Sequence, residues 1–212
     1  SGMWLYDNRA STWKDLKPTK GPAACEALVW ASLCHDPVND EFLLFGGGMA
    51  LNLEGGARTW LYDPKANSGP RPKMKIEPPL RCNAPIVYDH KNKVMVMFGG
   101  DDQTAALNDT WVYHCKDRRW EERKPNPSPP PMFAPAAAPM PGGGRILVCD
   151  GKQTWVYETA ANNWRPAGGA LSPAPKGWGL RVTTAGSEKQ GAVFLLAMAG
   201  KVSKDLLEII RK

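Results

Sequence analysis

A tryptophan-x-tyrosine triplet occurs four times along this chain, as Trp4-Leu5-Tyr6, Trp60-Leu61-Tyr62, Trp111-Val112-Tyr113 and Trp155-Val156-Tyr157. It takes up four of the five tyrosines. Its tryptophans lie 56, 51 and 44 residues apart, a period that suits a four-stranded blade and is too long for short helical repeats. Trp13, Trp120 and Trp164 each follow a triplet tryptophan by nine residues, while the second unit carries Gly69 at that place. The chain is therefore a tandem array before it is anything else.

A second marker keeps the same beat. Apolar runs end in glycine at Phe45-Gly46-Gly47 and Phe98-Gly99-Gly100, with weaker copies at Cys149-Asp150-Gly151 and Ala199-Gly200. Glycine reaches positive φ at little cost, so each pair reads as the exit bend of a strand. Asp36 and Asp89 each stand ten residues before the first glycine of their pair. Between the markers lie short runs rich in Val, Leu, Phe, Tyr and Trp, bounded by Gly, Pro, Asn and Asp, which is strand and turn chemistry. The run Val94-Met95-Val96-Met97-Phe98 does not alternate, so it suits a strand covered on both faces. Alternation within the triplet puts Trp111 and Tyr113 on one side. A buried tryptophan removes roughly 200 Å² from water, worth on the order of 5 kcal/mol at most, so packing between blades is the first meaning of Trp4, Trp60, Trp111 and Trp155.

The order of these markers resembles the kelch repeat, of the kelch and galactose-oxidase-like class of β-propeller. The resemblance is strong in 79–123, moderate in 27–63 and degenerate in 132–200. It implies an all-β fold of about four blade-equivalents, each of four antiparallel strands. Innermost strands are expected near 27–34, 83–88, 133–139 and 178–184, and second strands near 41–46, 93–98, 145–149 and 192–198. The triplets form the third strands, and the segments near Trp13, Trp120 and Trp164 the fourth. The divisions that follow are outer strands in 1–20, full blades in 21–78, 79–128 and 129–170, and the start of a further blade in 171–212. Two closures are compatible with this order: a four-bladed ring joined two-plus-two, or an arc of a six- or seven-bladed ring completed by another chain or another copy. A competing third strand at Asp205-Leu206-Leu207-Glu208-Ile209, which also reads as a short amphipathic helix, favours the arc.

Composition narrows the function. Twenty-one glycines and twenty prolines suit many turns rather than long helices. The net charge of +6 comes from dispersed basic residues with acids beside them, not from the stripe a nucleic-acid partner requires. No apolar run approaches the ~20 residues of a membrane span, and no signal peptide is expected within the sequence, any such segment having been removed. Five cysteines without a C-x-x-C pair and three scattered histidines give no ligand spacing, so no metal or other cofactor is expected. Gly46-Gly47-Gly48 and Gly142-Gly143-Gly144 lack the Lys-Ser/Thr of a phosphate loop. The compartment is left open, with a slight tilt towards an extracytoplasmic location.

The expected function is a non-catalytic scaffold that binds a protein or glycan through loops at one end of the propeller. The loops expected there are 47–58, 100–109, 151–154 and 200–204, with 17–25, 73–82, 124–133 and 167–177. Arg58, Arg81, Asp101, Asp102, Gln103, Lys152 and Lys176 are the side chains expected to reach a partner. Arg81 holds a place where the resemblance implies arginine after a Pro-Pro pair. The alternative is a segment of a galactose-oxidase-like or carbohydrate-active enzyme whose catalytic residues lie elsewhere, since His35, His90 and His114 do not converge.

Overall fold

A computed structural model describes residues 3–18, 20–21, 29–48, 58–69, 71–168, 181–187 and 192–198. All its regular elements are strands, in five antiparallel sheets. A half-blade pairs β1 (Trp4–Asp7) with β2 (Thr12–Asp15). The second blade orders β3 (Val29–Asp36), β4 (Glu41–Gly48) and β5 (Trp60–Tyr62). The third holds β6 (Ile86–Asp89), β7 (Val94–Phe98), β8 (Thr110–His114) and β9 (Arg119–Arg123). The fourth holds β10 (Ala136–Pro139), β11 (Arg145–Cys149), β12 (Thr154–Glu158) and β13 (Asn163–Gly168). A last half-blade pairs β14 (Arg181–Ser187) with β15 (Ala192–Met198). Innermost strands neighbour one another in chain order, β3 against β6, β6 against β10 and β10 against β14.

The unbroken apolar run has the expected cause. All five residues of β7 are buried, and they divide between two cores. Met95 and Met97 join Trp111, Tyr113, Leu43 and Phe45 in the cluster towards the second blade. Val94, Val96 and Phe98 join Val112, Ile146 and Val148 in the cluster towards the fourth. The third blade is thus a wall between two cores.

The later tryptophan of the third and of the fourth blade ties that blade to the one before. Trp120 packs on Tyr113 of its own blade and on Phe45 of the second, with ring centroids 5.2 and 5.5 Å apart. Its indole Nε1 donates to Thr59 Oγ1 at 2.9 Å. Trp164 repeats the arrangement one blade on, packing on Tyr157 and Phe98 and donating to Thr110 Oγ1 at 3.0 Å. In both cases the accepting threonine immediately precedes a triplet tryptophan.

Turns add a second set of ties. Asp89 accepts from the backbone N–H of Lys91 (3.1 Å) and from Asn92 Nδ2 (2.7 Å), closing the turn after β6. It also accepts from Gly144 N, in the fourth blade, at 2.8 Å. Burial works against its charge, but these donors prevail and hold its carboxyl below the usual value. Asp36 closes the corresponding turn after β3, where Asn39 Nδ2 reaches the carbonyl of Cys115 in the third blade at 2.7 Å.

Two expectations need correction. Trp4 and Trp13 are not core: they are 57% and 66% exposed. The reason is positional, because no blade precedes β1–β2 among the described residues to cover them. Trp60 and Trp155 are half-buried, whereas Trp111 is buried. The unit 21–78 shows three strands rather than four among the described residues. Gly69 takes the place of the later tryptophan, its N–H donates to the Lys20 carbonyl at 2.8 Å, and an Asp63–Ser68 bridge is what remains of the outer hairpin. Of the two closures compatible with the sequence, the two-plus-two pairing is not formed among the described residues, where β1–β2 and β14–β15 are separate sheets. The segment 204–212 lies outside the described residues.

Candidate interaction face

Connections from second to third strands, and from each blade to the next, are woven together at one end of the blades. Gly47 N donates to the Arg81 carbonyl at 3.0 Å, and Gly100 N to that of Met132 at 3.1 Å. Cys82 bridges Asp101, and Leu107 bridges Met132. The paired glycines are required here: Gly46, Gly47, Gly99 and Gly100 have φ between 63° and 86°. A Cβ on Gly46 would lie 2.7 Å from the Arg81 carbonyl oxygen. Each exit bend therefore lets one blade's backbone reach the connection that enters the next.

Arg81 is a strut of this weave and not a partner-facing side chain, which corrects the sequence reading. It is 1% exposed. Its Nη1 donates to the Gly99 carbonyl at 3.1 Å, its Nε to the Pro79 carbonyl at 3.1 Å, and its fork closes on Asp109, with Nη2 to Oδ2 at 2.6 Å. Asp109 also accepts from Trp111 Nε1 at 2.7 Å. Asp101 is corrected in the same way. It is buried, with one carboxylate oxygen on Asn83 Nδ2 (2.7 Å) and the other on Gln103 N (3.1 Å).

The remaining residues divide. Asp102 lies at the surface, but Thr104 Oγ1 (2.6 Å) and the amides of Thr104 and Ala105 (both 2.8 Å) hold its carboxylate. Those donors, the Thr104 hydroxyl first, keep its carboxyl below the usual value. Gln103 is exposed in a left-handed conformation, φ 71°. Lys152 is exposed in the turn capped by Asp150, whose Oδ1 accepts from its N–H at 2.8 Å. Lys176, and most of loop 47–58, lie outside the described residues.

Arg58 stays accessible, its side chain 50% exposed and its Nη1 3.8 Å from Glu77 Oε2. Arg71 reaches the same oxygen at the same distance. The other Glu77 oxygen accepts from Thr59 N at 3.1 Å, which joins the end of one loop to the start of the next. Lys73, Lys75 and Ile76 are exposed beside them. Sequence reasoning named Arg58 and the loop 73–82, but not Arg71 or the way Glu77 joins them. The cue is the alternation Arg71-Pro72-Lys73-Met74-Lys75-Ile76, which reads as ordinary linker. Phe133, exposed on the next connection, was missed as well.

Among the described residues no three His, Cys, Asp or Glu side chains gather as a metal ion would require. His114 is taken up by Glu121, at 2.7 Å. Burial pushes the Cys34 and Cys82 thiols up to about 11, so both stay protonated at neutral pH. No helix among the described residues is long and apolar enough to cross a membrane.

Small antiparallel sheets, ordered from first strand to last and stacked through their innermost strands, define a β-propeller of kelch type. A family model described as the KLHDC2/KLHL20/DRC7 Kelch-repeats domain matches residues 1–186, and the chain belongs to the kelch-repeat family. Kelch domains in general mediate protein interactions, which makes a protein-interaction scaffold the class of function to which this chain is assigned.

Proposed function

We propose that the partner docks on the woven loop face, centred on the strip formed by Arg58, Arg71, Lys73, Lys75 and Ile76, and that it presents an acidic segment carrying an apolar side chain. The observation that carries this reading is the imbalance around Glu77. One half-buried carboxylate faces two guanidinium groups, each at 3.8 Å, and two further lysines stand exposed alongside. Ion pairs that long leave both forks open to a better acceptor, and arginine takes carboxylates in a two-pronged manner that lysine cannot match. Ile76 supplies apolar contact within the charged rim. Glycan binding and an enzymatic role, both held open by the sequence, draw no specific support from this geometry.

The test is selection from a displayed peptide library followed by titration of the recovered peptides. Acidic peptides with an apolar residue should be enriched. Arg58→Ala with Arg71→Ala should weaken them by at least tenfold, about 1.4 kcal/mol, with affinity falling as salt rises. Recovery of neutral or basic peptides, or affinity unchanged in the double variant, would refute the assignment.

A further inference from the structure

We infer that Ser128 is a phosphorylation site for a proline-directed serine/threonine kinase, and that the phosphate unfastens two loops of the interaction face. The first observation is the setting of the hydroxyl. Ser128 lies in the connection 124–131 between the third and fourth blades, with Pro129 directly after it. A proline there is what such a kinase reads, because it has no N–H and holds φ at about −65°. Ser128 is half-buried, and Asn126, Pro127, Pro130 and Pro131 around it are exposed. Among the described residues, no backbone group of 124–131 takes part in a backbone–backbone hydrogen bond. A kinase can therefore take up this segment in extended form without breaking a strand ladder.

The second observation is what the hydroxyl does. Its Oγ donates to the Asn108 carbonyl at 3.1 Å, and Asn108 Nδ2 donates back to the Pro129 carbonyl at 3.4 Å. This reciprocal clasp ties the connection to loop 100–109. The backbone bonds that weave the third blade to the fourth adjoin it on both segments. Leu107, directly before Asn108, accepts from Met132 N at 2.9 Å, and the Met132 carbonyl accepts from Gly100 N at 3.1 Å.

The third observation is the charge already present. Asp109 follows Asn108 and keeps a quarter of its side chain in solvent, and Asp101 and Asp102 stand on the same loop. Transfer of the γ-phosphoryl group of a nucleoside triphosphate forms the Oγ–P bond and breaks the bond to the β-phosphate oxygen. The nucleoside diphosphate leaves, and the hydroxyl proton passes to the kinase's base. The product has no hydroxyl left to donate. It sets a doubly charged acceptor against the Asn108 carbonyl, itself an acceptor, on a loop that already carries three carboxylates. Both effects part the two segments.

The Met132 amide reports this parting, because its bond to Leu107 crosses between the segments that the clasp holds. Neither Ser128 nor Asn108 belongs to the strip at Arg58 and Arg71, so the modification stands independently of what docks there.

Incubation of the folded chain with a proline-directed kinase and ATP tests it, read by peptide mass spectrometry. Phosphate is expected on the peptide carrying Ser128, and Ser128→Ala should abolish that label. The other Ser-Pro pair, Ser172-Pro173, lies outside the described residues, and the peptide map separates the two. Hydrogen exchange then reads the consequence. The Met132 amide should exchange roughly tenfold faster in the phosphorylated chain, while amides of β7 keep their rates. Ser128→Ala loses the clasp but gains no charge, so its Met132 rate should fall between the two. A Ser128 left unmodified while a Ser-Pro peptide in the same tube is labelled would overturn the inference. So would phosphate taken up only after unfolding, or a Met132 rate unchanged by the phosphate.

Discussion

Arg81 offers the sharpest test of the fold's logic, because its sequence context suggests a loop residue and its surroundings make it a strut. In Arg81→Ala the carbonyls of Gly99 and Pro79 each lose a charged donor within 3.1 Å. An unpaired buried acceptor costs about 1–3 kcal/mol, and breaking a buried ion pair about 3–5 kcal/mol. Asp109 is not wholly stranded, since Trp111 Nε1 still donates to it at 2.7 Å and a quarter of its side chain meets solvent. The net loss should therefore fall near the lower part of that range, about 3 kcal/mol. In urea, with a slope of about 2 kcal/mol per molar, the unfolding midpoint should drop by about 1.5 M. Arg58→Ala is the control: a half-exposed side chain with its carboxylate at 3.8 Å should cost no more than about 0.5 kcal/mol. A cycle of Arg81→Met and Asp109→Asn should show coupling of about 1–3 kcal/mol. If Arg81→Ala unfolds at the same urea concentration as Arg58→Ala, the strut assignment is wrong, and Arg81 becomes a partner-facing residue again.

Three further outcomes follow from the same ties. Trp164→Ala should cost about 3–5 kcal/mol and Thr110→Val about 1–3 kcal/mol, the latter by leaving a buried indole N–H unpaired, both read from denaturant unfolding. Gly100→Ala should lower the melting temperature by several degrees, because φ is 86° and the new methyl would stand 2.9 Å from Ala84 N. The Asp89 carboxyl is depressed below its ordinary 3.8, so its contribution is complete above that pH and is lost as pH falls through the lower folded value. Asp89→Asn should accordingly flatten the loss of stability on acidification below about pH 4, as followed by calorimetry.

The strands were legible because both of their causes are local. A period of about fifty residues, glycine at each exit and an apolar run between turn residues place β3, β4, β6, β7 and β11 within a few residues of where they lie. What the sequence hid was the partner of each polar side chain. Arg81 finds Asp109 twenty-eight positions away, and Asp101 finds Asn83 eighteen away, neither at a spacing that strand periodicity would connect. A proline pair before an arginine reads as exposed loop, yet in a woven end the loop is itself a packed layer. Arg58 and the loop 73–82 were legible, but Arg71 and the shared carboxylate of Glu77 were hidden for the opposite reason: a connection with no repeat marker shows no pairing.

The tryptophans carry the argument one step further. Trp13, Trp120 and Trp164 occupy one place in the repeat and keep the same tyrosine neighbour. Two are buried and one is 66% exposed, so the motif specifies what the residue will pack against and not whether that surface is present. In a repeat array each unit contributes half of every interface, and a side chain counts as core only when the adjacent unit is in place. The same indole is thus packed between blades in the third and fourth units and exposed in β1–β2 among the described residues. Burial inferred from a repeat motif must therefore be assigned to pairs of neighbouring units.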